Sequence, residues 1–290
     1  MINPSTKLYA VLGHPVAHSL SPRMQNAAIK RLGLDALYLA FDVPPEKLMA
    51  TLAMMAELGF AGVNLTVPLK EVAFRGLKDM DPDARALGSV NTVKFGPRGM
   101  RGFSTDGLGF ISAIKKVFHC TPKDLSVCLL GCGGAGRAVG LACAGAGAKK
   151  IFLADTEMTR AKKLKADIAA SAVGAEVDIV PAGREALNSA ARESRLVIQA
   201  TPVGMHRGDI PLLDSRAFDG RQMLYDLIYM FPRTALMKIA SGKGCRVANG
   251  LDMLAFQGAA SLSIWTGRKA PVNTMIRELE KAVYGKSKRV

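Results

Sequence analysis

Residues 126–137 read SVCLLGCGGAGR, and this stretch decides the fold of the chain. An apolar run typical of a buried strand leads into glycines with the spacing G-x-G-x-x-G, at Gly131, Gly133 and Gly136, and a helical pattern continues to Ala146. The first glycine permits a tight turn, the second a close approach of the backbone to a pyrophosphate, and the third close packing of helix on strand. The helix N-terminus adds free N–H groups for phosphates. The stretch therefore predicts a dinucleotide site in a Rossmann fold.

The next apolar strand, residues 150–154, is followed by Asp155, where a Rossmann fold carries an acidic residue near the adenosine ribose. A carboxylate there accepts hydrogen bonds from ribose hydroxyls and repels a 2′-phosphate, which favours NAD over NADP. Arg160 is a contrary feature, because a nearby guanidinium can pair with a 2′-phosphate, although Arg160 also fits a solvated helix position. We therefore predict NAD as the cofactor, with NADP as the alternative.

Short apolar runs alternate with helical patterns over the rest of the chain. Strands of continuous apolar character separated by helices are typical of a parallel sheet covered on both faces. We predict an α/β protein with two domains. Residues 1–105, completed by residues 250–290, form an N-terminal α/β substrate domain, and residues 106–249 form a doubly wound, parallel-sheet Rossmann domain for the dinucleotide.

The composition describes a folded protein that attracts anions. Of 290 residues, 49% are hydrophobic and 22% are charged, so the chain can bury a core, which argues against disorder. The formal net charge is +15, but the charges are spread along the chain. Only residues 286–289 form a basic cluster, which is too short for a nucleic-acid arm. We expect small anionic ligands, no nucleic acid, and a monomer or homodimer.

The cysteines and the apolar runs predict a cytoplasmic protein without a metal site or a membrane segment. The five cysteines form no C-x-x-C pair and have no zinc-ligand spacing, which fits reduced thiols. The N-terminus lacks the pattern of a signal peptide. Residues 127–148 form a long apolar run, but a central Arg137 is costly in lipid and the glycines would break a membrane helix.

Several polar residues follow predicted strands in the N-terminal half. Ser19 and Ser21 stand at the start of a helix predicted from Pro22. Two hydroxyls there can hold an anion such as a carboxylate, or Ser21 can act simply as the N-cap. Lys70 stands at a strand end in NLTVPLK, and Asp106 stands in STDG just before the Rossmann part. A lone Lys or Asp is usually solvated, so it is the combination that indicates a site.

The motifs HSLSP, NLTVPLK, GSVNTV, STDG, GCGGAGR and LDMLAFQGA, in this order and spacing, resemble the shikimate dehydrogenase family, which includes quinate/shikimate dehydrogenases. The resemblance covers nearly the whole chain. It implies an oxidoreductase that reversibly oxidises shikimate to 3-dehydroshikimate, on the route to aromatic amino acids. It also implies two α/β domains with the active site in the cleft between them.

The resemblance implies a role for each residue that stands in a matching motif. Lys70 and Asp106 would form the catalytic pair. From the chemistry, our hypothesis is that Lys70 transfers the proton and Asp106 positions Lys70 and the substrate hydroxyl, but the two act as one proton-handling unit and the sequence leaves the division between them open. The substrate-binding residues would be Ser19 and Ser21 for the carboxylate, and Asn64, Thr66, Asn91, Tyr229 and Gln257 for the ring. The cofactor-binding residues would be Gly131, Gly133, Gly134, Ala135, Gly136, Arg137, Asp155, Thr201 and Gly250.

The chain departs from the family pattern at a few positions. Family members often carry Asn-Arg-Thr where this chain has Ala154-Asp155-Thr156, and the loss of that arginine again points to NAD. Ser104 and Gln25 replace a usual Asn and a usual His. Ser21, often Thr in quinate-preferring members, favours shikimate over quinate. The alternatives are an NADP-dependent or quinate-oxidising enzyme, and a binding protein that senses a dinucleotide and contacts nucleic acid.

Overall fold

The computed structural model describes residues 2–171 and 174–285, so the predicted basic cluster at residues 286–289 lies outside the described residues. The chain divides into two compact units. The first unit comprises Met1–Thr105 and Ala255–Val290, and the second comprises Asp106–Leu254.

In the part of the first unit that the structure describes, six strands form a mixed sheet. The strands are β1 (Lys7–Gly13), β2 (Ala36–Asp42), β3 (Phe60–Leu65), β4 (Asp79–Met80), β5 (Thr92–Gly96) and β6 (Gly99–Phe103). Their order in the sheet is β2-β1-β3-β5-β6-β4. Strands β2, β1 and β3 pair in parallel, whereas β5 pairs antiparallel with both β3 and β6. The sheet therefore consists of a parallel half and a half built on the β5–β6 hairpin.

Over its described residues, the second unit contains a sheet of six parallel strands. They are β7 (Ser126–Leu130), β8 (Lys150–Ala154), β9 (Glu176–Ile179), β10 (Leu196–Gln199), β11 (Met223–Asp226) and β12 (Arg246–Asn249). The order β12-β11-β10-β7-β8-β9 is the doubly wound order of a Rossmann fold, with the switch point between β7 and β10. All residues of β10 and β11 are buried, as expected for central strands of a covered parallel sheet. The predicted α/β fold class is confirmed.

Helices connect most of the strands. They are α1 (Ser21–Arg31), α2 (Leu48–Glu57), α3 (Leu69–Gly76), α4 (Pro82–Leu87), α5 (Asp106–Phe118), α6 (Gly134–Gly145), α7 (Met158–Ala170), α8 (Arg184–Glu193), α9 (Ala235–Gly242), α10 (Leu251–Thr266) and α11 (Val272–Tyr284). Within the described part of the chain, none of them combines the length and apolar character that crossing a bilayer demands. The apolar run at residues 127–148 is divided between β7, the glycine loop and α6.

One predicted cap is wrong. Ser21 is the first residue of α1, and the N-cap residue is Leu20, which already has helical backbone angles of φ −87° and ψ −4°. Because the helix begins one residue early, the Ser21 hydroxyl does not cap it. The Ser19 hydroxyl instead accepts a hydrogen bond from the Ser21 N–H, at 3.3 Å.

Trp265, near the end of α10, packs on the sheet of the first unit. Its ring stacks on Tyr9 with centroids 5.0 Å apart and lies 6.1 Å from the ring of Tyr38. The indole N–H donates to the Val93 carbonyl at 3.0 Å, so its polar atom is satisfied. Gly62 leaves the space for this ring, because a Cβ there would overlap the indole.

Candidate functional site

The glycine loop after β7 has the close backbone contacts that its sequence predicts. Gly131 has φ +95°, a conformation that favours glycine, and a Cβ there would lie 2.9 Å from the Ala200 carbonyl oxygen. A Cβ on Gly136 would overlap the Gly131 carbonyl oxygen. Both positions therefore require glycine so that α6 can begin directly against the ends of β7 and β10.

The opening of α6 leaves room for a ligand. Gly133 is the N-cap residue and has no side chain to occupy the helix N-terminus. A Cβ on Gly133 or Gly134 would meet nothing within 4 Å. The main-chain N–H groups of the first helical turn, which includes Ala135, point out of the helix and attract anions. This open cradle fits a dinucleotide pyrophosphate.

Asp155 lies beside this cradle, directly after β8. Its Oδ2 accepts a hydrogen bond from the Cys132 N–H at 2.7 Å, and its Oδ1 accepts one from the Glu157 N–H at 2.8 Å. The carboxylate is thus fixed next to the glycine loop. Arg160, the contrary feature of the sequence, forms an ion pair with Glu157 at 2.8 Å, so its charge is partly neutralised.

The other predicted cofactor residues have contacts of their own in the second unit. The Arg137 guanidinium binds Asp167 through Nε and Nη2, at 2.9 and 2.8 Å. The Thr201 hydroxyl donates to Gln199 Oε1 at 2.9 Å, and its methyl group lies against Gly131. Gly250 packs so closely on Leu227 that a Cβ would overlap the Leu227 carbonyl oxygen. Cofactor contacts from these three residues stay predictions.

A buried hydrogen-bond network in the first unit centres on Asn64, which is 6% exposed. Its Nδ2 donates to the Asn91 carbonyl, the Thr92 hydroxyl and the Ser261 hydroxyl, at 3.1, 3.0 and 2.9 Å. Its Oδ1 accepts from the Tyr38 hydroxyl at 2.7 Å. The amide of Asn64 is therefore held on both of its polar atoms.

The same network continues through Asn91 to Gln257. The Asn91 Nδ2 donates to the Thr105 hydroxyl at 2.9 Å and to Gln257 Oε1 at 3.5 Å. The Asn91 Oδ1 accepts from the Thr105 N–H and the Thr92 hydroxyl, at 2.9 and 3.0 Å. On α10, the Ser261 hydroxyl donates to the Gln257 carbonyl at 3.0 Å. Three residues that the sequence predicts for substrate binding thus belong to one network.

Four members of the network were missed by the sequence prediction. Thr92 and Thr105 stand inside the motifs GSVNTV and STDG, next to the predicted site residues Asn91 and Asp106. This position in the sequence could have indicated that they belong to the site. Ser261 stands one helical turn after Gln257, on the same face of α10. Tyr38 lies on β2 and carries no local signal at all.

The loop with Ser19 and Ser21 is held at its base by Asp42. The Asp42 carboxylate binds the His14 ring through Nδ1 and accepts from the Val16 N–H at 3.3 Å. The hydrogen bond from His14 is the main cause that lowers the pKa of Asp42. This pair ties the ends of β1 and β2 together, and it fixes the start of the segment that leads to the two serines.

Thr66 and Lys70 mark the turn from β3 into α3. The Thr66 carbonyl accepts from the Leu69 N–H at 2.8 Å, and the Thr66 methyl group lies in the space that a Cβ of Gly13 would fill. Lys70 is the second residue of α3 and is half-buried. Its main-chain carbonyl accepts from the Val90 N–H at 3.2 Å.

Asp106 and Tyr229 belong to the second unit. Asp106 is the first residue of α5 and is 7% exposed. Tyr229 follows β11, and burial raises the pKa of its hydroxyl. Lys70 belongs to the first unit, and its pairing with Asp106 stays a prediction. Across residues 2–171 and 174–285, no three His, Cys, Asp or Glu side chains are arranged to hold a metal ion.

Asp226 is a buried acid that the sequence did not single out. It ends β11, is 1% exposed, and accepts hydrogen bonds from the Thr234 hydroxyl at 2.6 Å and the Ile228 N–H at 3.1 Å. Burial is the largest effect and raises the pKa of Asp226 to about 6. The folded state therefore holds this proton at a higher pH than the unfolded chain does.

We expect Asp226→Asn to change the pH dependence of stability. Because the folded-state pKa lies above the unfolded value, the wild-type free energy of unfolding should fall as the pH rises from about 4 to about 6, by about 2–3 kcal/mol. Urea denaturation at pH 4 and pH 8 measures this loss, which the Asn variant should lack. The exposed Glu193→Gln is the control and should behave as wild type. Equal pH dependence in wild type and Asp226→Asn would contradict the prediction.

Comparison with known proteins gives consistent matches over both units. A family model described as "Shikimate dehydrogenase substrate binding domain" matches residues 11–93, and one described as "Shikimate 5'-dehydrogenase C-terminal domain" matches residues 250–280. The shikimate dehydrogenase (NADP(+)) of Moorella thermoacetica is 41% identical over 287 residues, which cover 99% of this chain and 97% of that protein.

Solved structures agree with the sequence matches. A crystal structure of a shikimate dehydrogenase in complex with NADP+ is 34% identical, with a TM-score of 0.90 and coverage of 98% of each chain. The shikimate 5-dehydrogenase of Listeria monocytogenes, in complex with shikimate and NAD, is 31% identical, with a TM-score of 0.89. The match covers 94% of this chain and 96% of that one.

Proposed function

Because the chain belongs to the shikimate dehydrogenase family, we propose that it reversibly oxidises shikimate to 3-dehydroshikimate, with a nicotinamide dinucleotide as the hydride acceptor. The family prediction from sequence is confirmed, and with it the assignment to the NAD(P)-dependent oxidoreductases that act on a CH–OH group. The observation that carries the proposal is the buried network of the first unit, in which Asn64, Asn91 and Gln257 gather hydrogen-bonding groups suited to a polyhydroxylated ring.

Oxidation of an alcohol removes a hydride from carbon and a proton from oxygen. The dinucleotide, when bound, supplies the hydride acceptor. The chain itself must handle the proton, and we assign this role to Lys70, with Asp106 orienting the ammonium group and the reacting hydroxyl. Ser19 and Ser21 are assigned to the substrate carboxylate. These assignments rest on the motifs, which supply a proton-transferring amine and a carboxylate that can orient it.

We assign NAD as the preferred cofactor, although the relative from Moorella thermoacetica is named for NADP(+). The assignment is supported by the Asp155 carboxylate, which is fixed beside the glycine loop by the Cys132 N–H. A negative charge there repels a 2′-phosphate. It is further supported by Glu157, which pairs with Arg160, the cation that would otherwise attract that phosphate.

We expect Asp155→Asn to raise kcat/KM with NADP relative to NAD by about tenfold, because it removes one negative charge and keeps the side-chain shape. Steady-state rates with both cofactors at saturating shikimate measure this ratio. Asp178→Asn is the matched control: it removes a carboxylate that pairs with Lys150 in the same sheet, and it should leave the ratio unchanged. A wild-type enzyme that prefers NADP tenfold would refute the NAD assignment.

A matrix of two substrates and two cofactors tests the proposed function as a whole. We expect the highest kcat/KM for shikimate with NAD and a lower value for quinate. Preference for quinate would favour the quinate-oxidising alternative. Absence of turnover in all four combinations, together with salt-sensitive nucleic-acid binding, would favour the dinucleotide-sensing alternative.

The five cysteines are free thiols, which supports a reducing compartment such as the cytoplasm. Whether the protein is a monomer or a homodimer stays a prediction.

A further inference from the structure

We propose that Tyr38 is a positioning residue for the substrate: its hydroxyl holds the Asn64 amide so that Oδ1 accepts a hydrogen bond from a ring hydroxyl that the reaction leaves unchanged. The inference rests on the proposed function and adds to it a residue outside every motif of the sequence. Tyr38 lies on β2, and its hydroxyl is 2.7 Å from Asn64 Oδ1.

The orientation of the Asn64 amide follows from its partners. The Asn91 main-chain carbonyl can only accept a hydrogen bond, so the atom of Asn64 that faces it must be Nδ2. The opposite atom, which faces Tyr38, is therefore Oδ1, and it can only accept. Hence the Tyr38 hydroxyl is the donor. Burial raises the pKa of Tyr38 well above its usual value, so this proton is retained.

The count of protons then limits what Asn64 can offer to a ligand. Its Nδ2 has two hydrogens and three acceptors inside the protein, on Asn91, Thr92 and Ser261. Its Oδ1 has two lone pairs, of which Tyr38 uses one. Asn64 can therefore meet a ligand only as an acceptor. A hydroxyl satisfies it, whereas a keto oxygen at the same place would face a lone pair and be rejected. A ring hydroxyl that is not oxidised suits both directions of the reaction.

The hydroxyl of Tyr38 can be separated from its packing. The rings of Tyr38 and Tyr9 both pack against Trp265: Tyr9 stacks on the indole at 5.0 Å, and Tyr38 lies tilted to it at 6.1 Å. Both tyrosines are about equally buried, at 1% and 2% exposed. Tyr38→Phe removes the hydrogen bond to Asn64 and keeps the ring. Tyr9→Phe removes a hydroxyl from the same cluster and leaves the network intact.

Steady-state kinetics of the two variants test the proposal. In Tyr38→Phe we expect the KM for shikimate to rise about tenfold, the KM for the dinucleotide to stay within about twofold of wild type, and the melting temperature to match that of Tyr9→Phe. Tyr9→Phe should retain wild-type kinetics. Equal KM for shikimate in the two variants, or an equal rise in both KM values of Tyr38→Phe, would overturn the proposal.

A double-mutant cycle tests whether Tyr38 acts through Asn64. In an Asn64→Ala background, Tyr38→Phe should cause a much smaller loss of kcat/KM than it causes in wild type, because the group that it positions is already absent. Additive losses would overturn the proposal. If wild type, Tyr9→Phe and Tyr38→Phe all fail to oxidise shikimate with either dinucleotide, the proposed function fails. A crystal structure of Tyr38→Phe then decides the inference: a turned Asn64 amide supports it, and an unchanged amide overturns it.

Discussion

In Lys70→Ala, kcat for shikimate oxidation is expected to fall at least about 100-fold, while the KM for shikimate changes little. The proposed role of Lys70 is to take the proton that leaves the reacting hydroxyl. Loss of a group that acts mainly in the transition state lowers kcat more than it weakens binding of the ground state. Initial rates over a range of shikimate concentrations, at saturating dinucleotide, measure both parameters.

Lys78→Ala is the matched control for this variant. Lys78 also belongs to the first unit, follows α3 and is exposed, so its removal changes the net charge equally without touching the proposed chemistry. We expect wild-type kinetics from it. A Lys70→Ala enzyme with kcat within about threefold of wild type would remove Lys70 from the reaction. An increase confined to the KM for shikimate would instead assign it to binding alone.

Gly136→Ala is expected to cost about 3 kcal/mol or more of unfolding free energy, because the added Cβ would overlap the Gly131 carbonyl oxygen. Backbone cannot move aside as a flexible side chain can, so α6 would have to shift away from β7. Binding of NADH should be lost together with stability. Urea denaturation and NADH titration monitored by fluorescence measure the two effects.

Alanine variants at two other glycines of the same segment distinguish an effect on the free energy of unfolding from an effect on NADH binding. In Gly133→Ala the added methyl group has no protein atom within 4 Å, so we expect the free energy of unfolding to stay unchanged. Because this methyl group enters the cradle for the pyrophosphate, we expect NADH to bind about tenfold more weakly. Gly145→Ala also meets no atom within 4 Å and lies at the far end of α6, where it should leave binding unchanged and stability equal or slightly higher. Wild-type NADH affinity in Gly133→Ala would contradict the assignment of the cradle.

The Rossmann part was the easiest to predict, because its signals are local. The bounds predicted for β8, residues 150–154, are those observed, since a continuous apolar run ends there in an acidic residue. The strand β12 carries no such local signal, because it is short and begins and ends with the polar residues Arg246 and Asn249. The cap assigned to Ser21 failed because it depended on the backbone angles of Leu20, which the sequence does not specify.

The polar network was predictable only in part. Asn64, Asn91 and Gln257 were found through motifs, whereas the hydrogen bonds that orient them come from distant parts of the chain. Tyr38 reaches Asn64 from β2, which is separated from β3 by β1 in the sheet. Ser261 reaches Asn64 from α10, near the other end of the sequence. A fold must be known before such partners can be paired, because no periodicity or spacing relates them.

The buried indole of Trp265 gives this protein an intrinsic optical probe. The chain has one tryptophan, and it lies in the first unit against Tyr9, close to the ring of Tyr38. Its emission therefore reports on that unit alone, while circular dichroism averages over all helices and strands. Comparing the two signals during denaturation would reveal whether the units unfold in one cooperative step or separately.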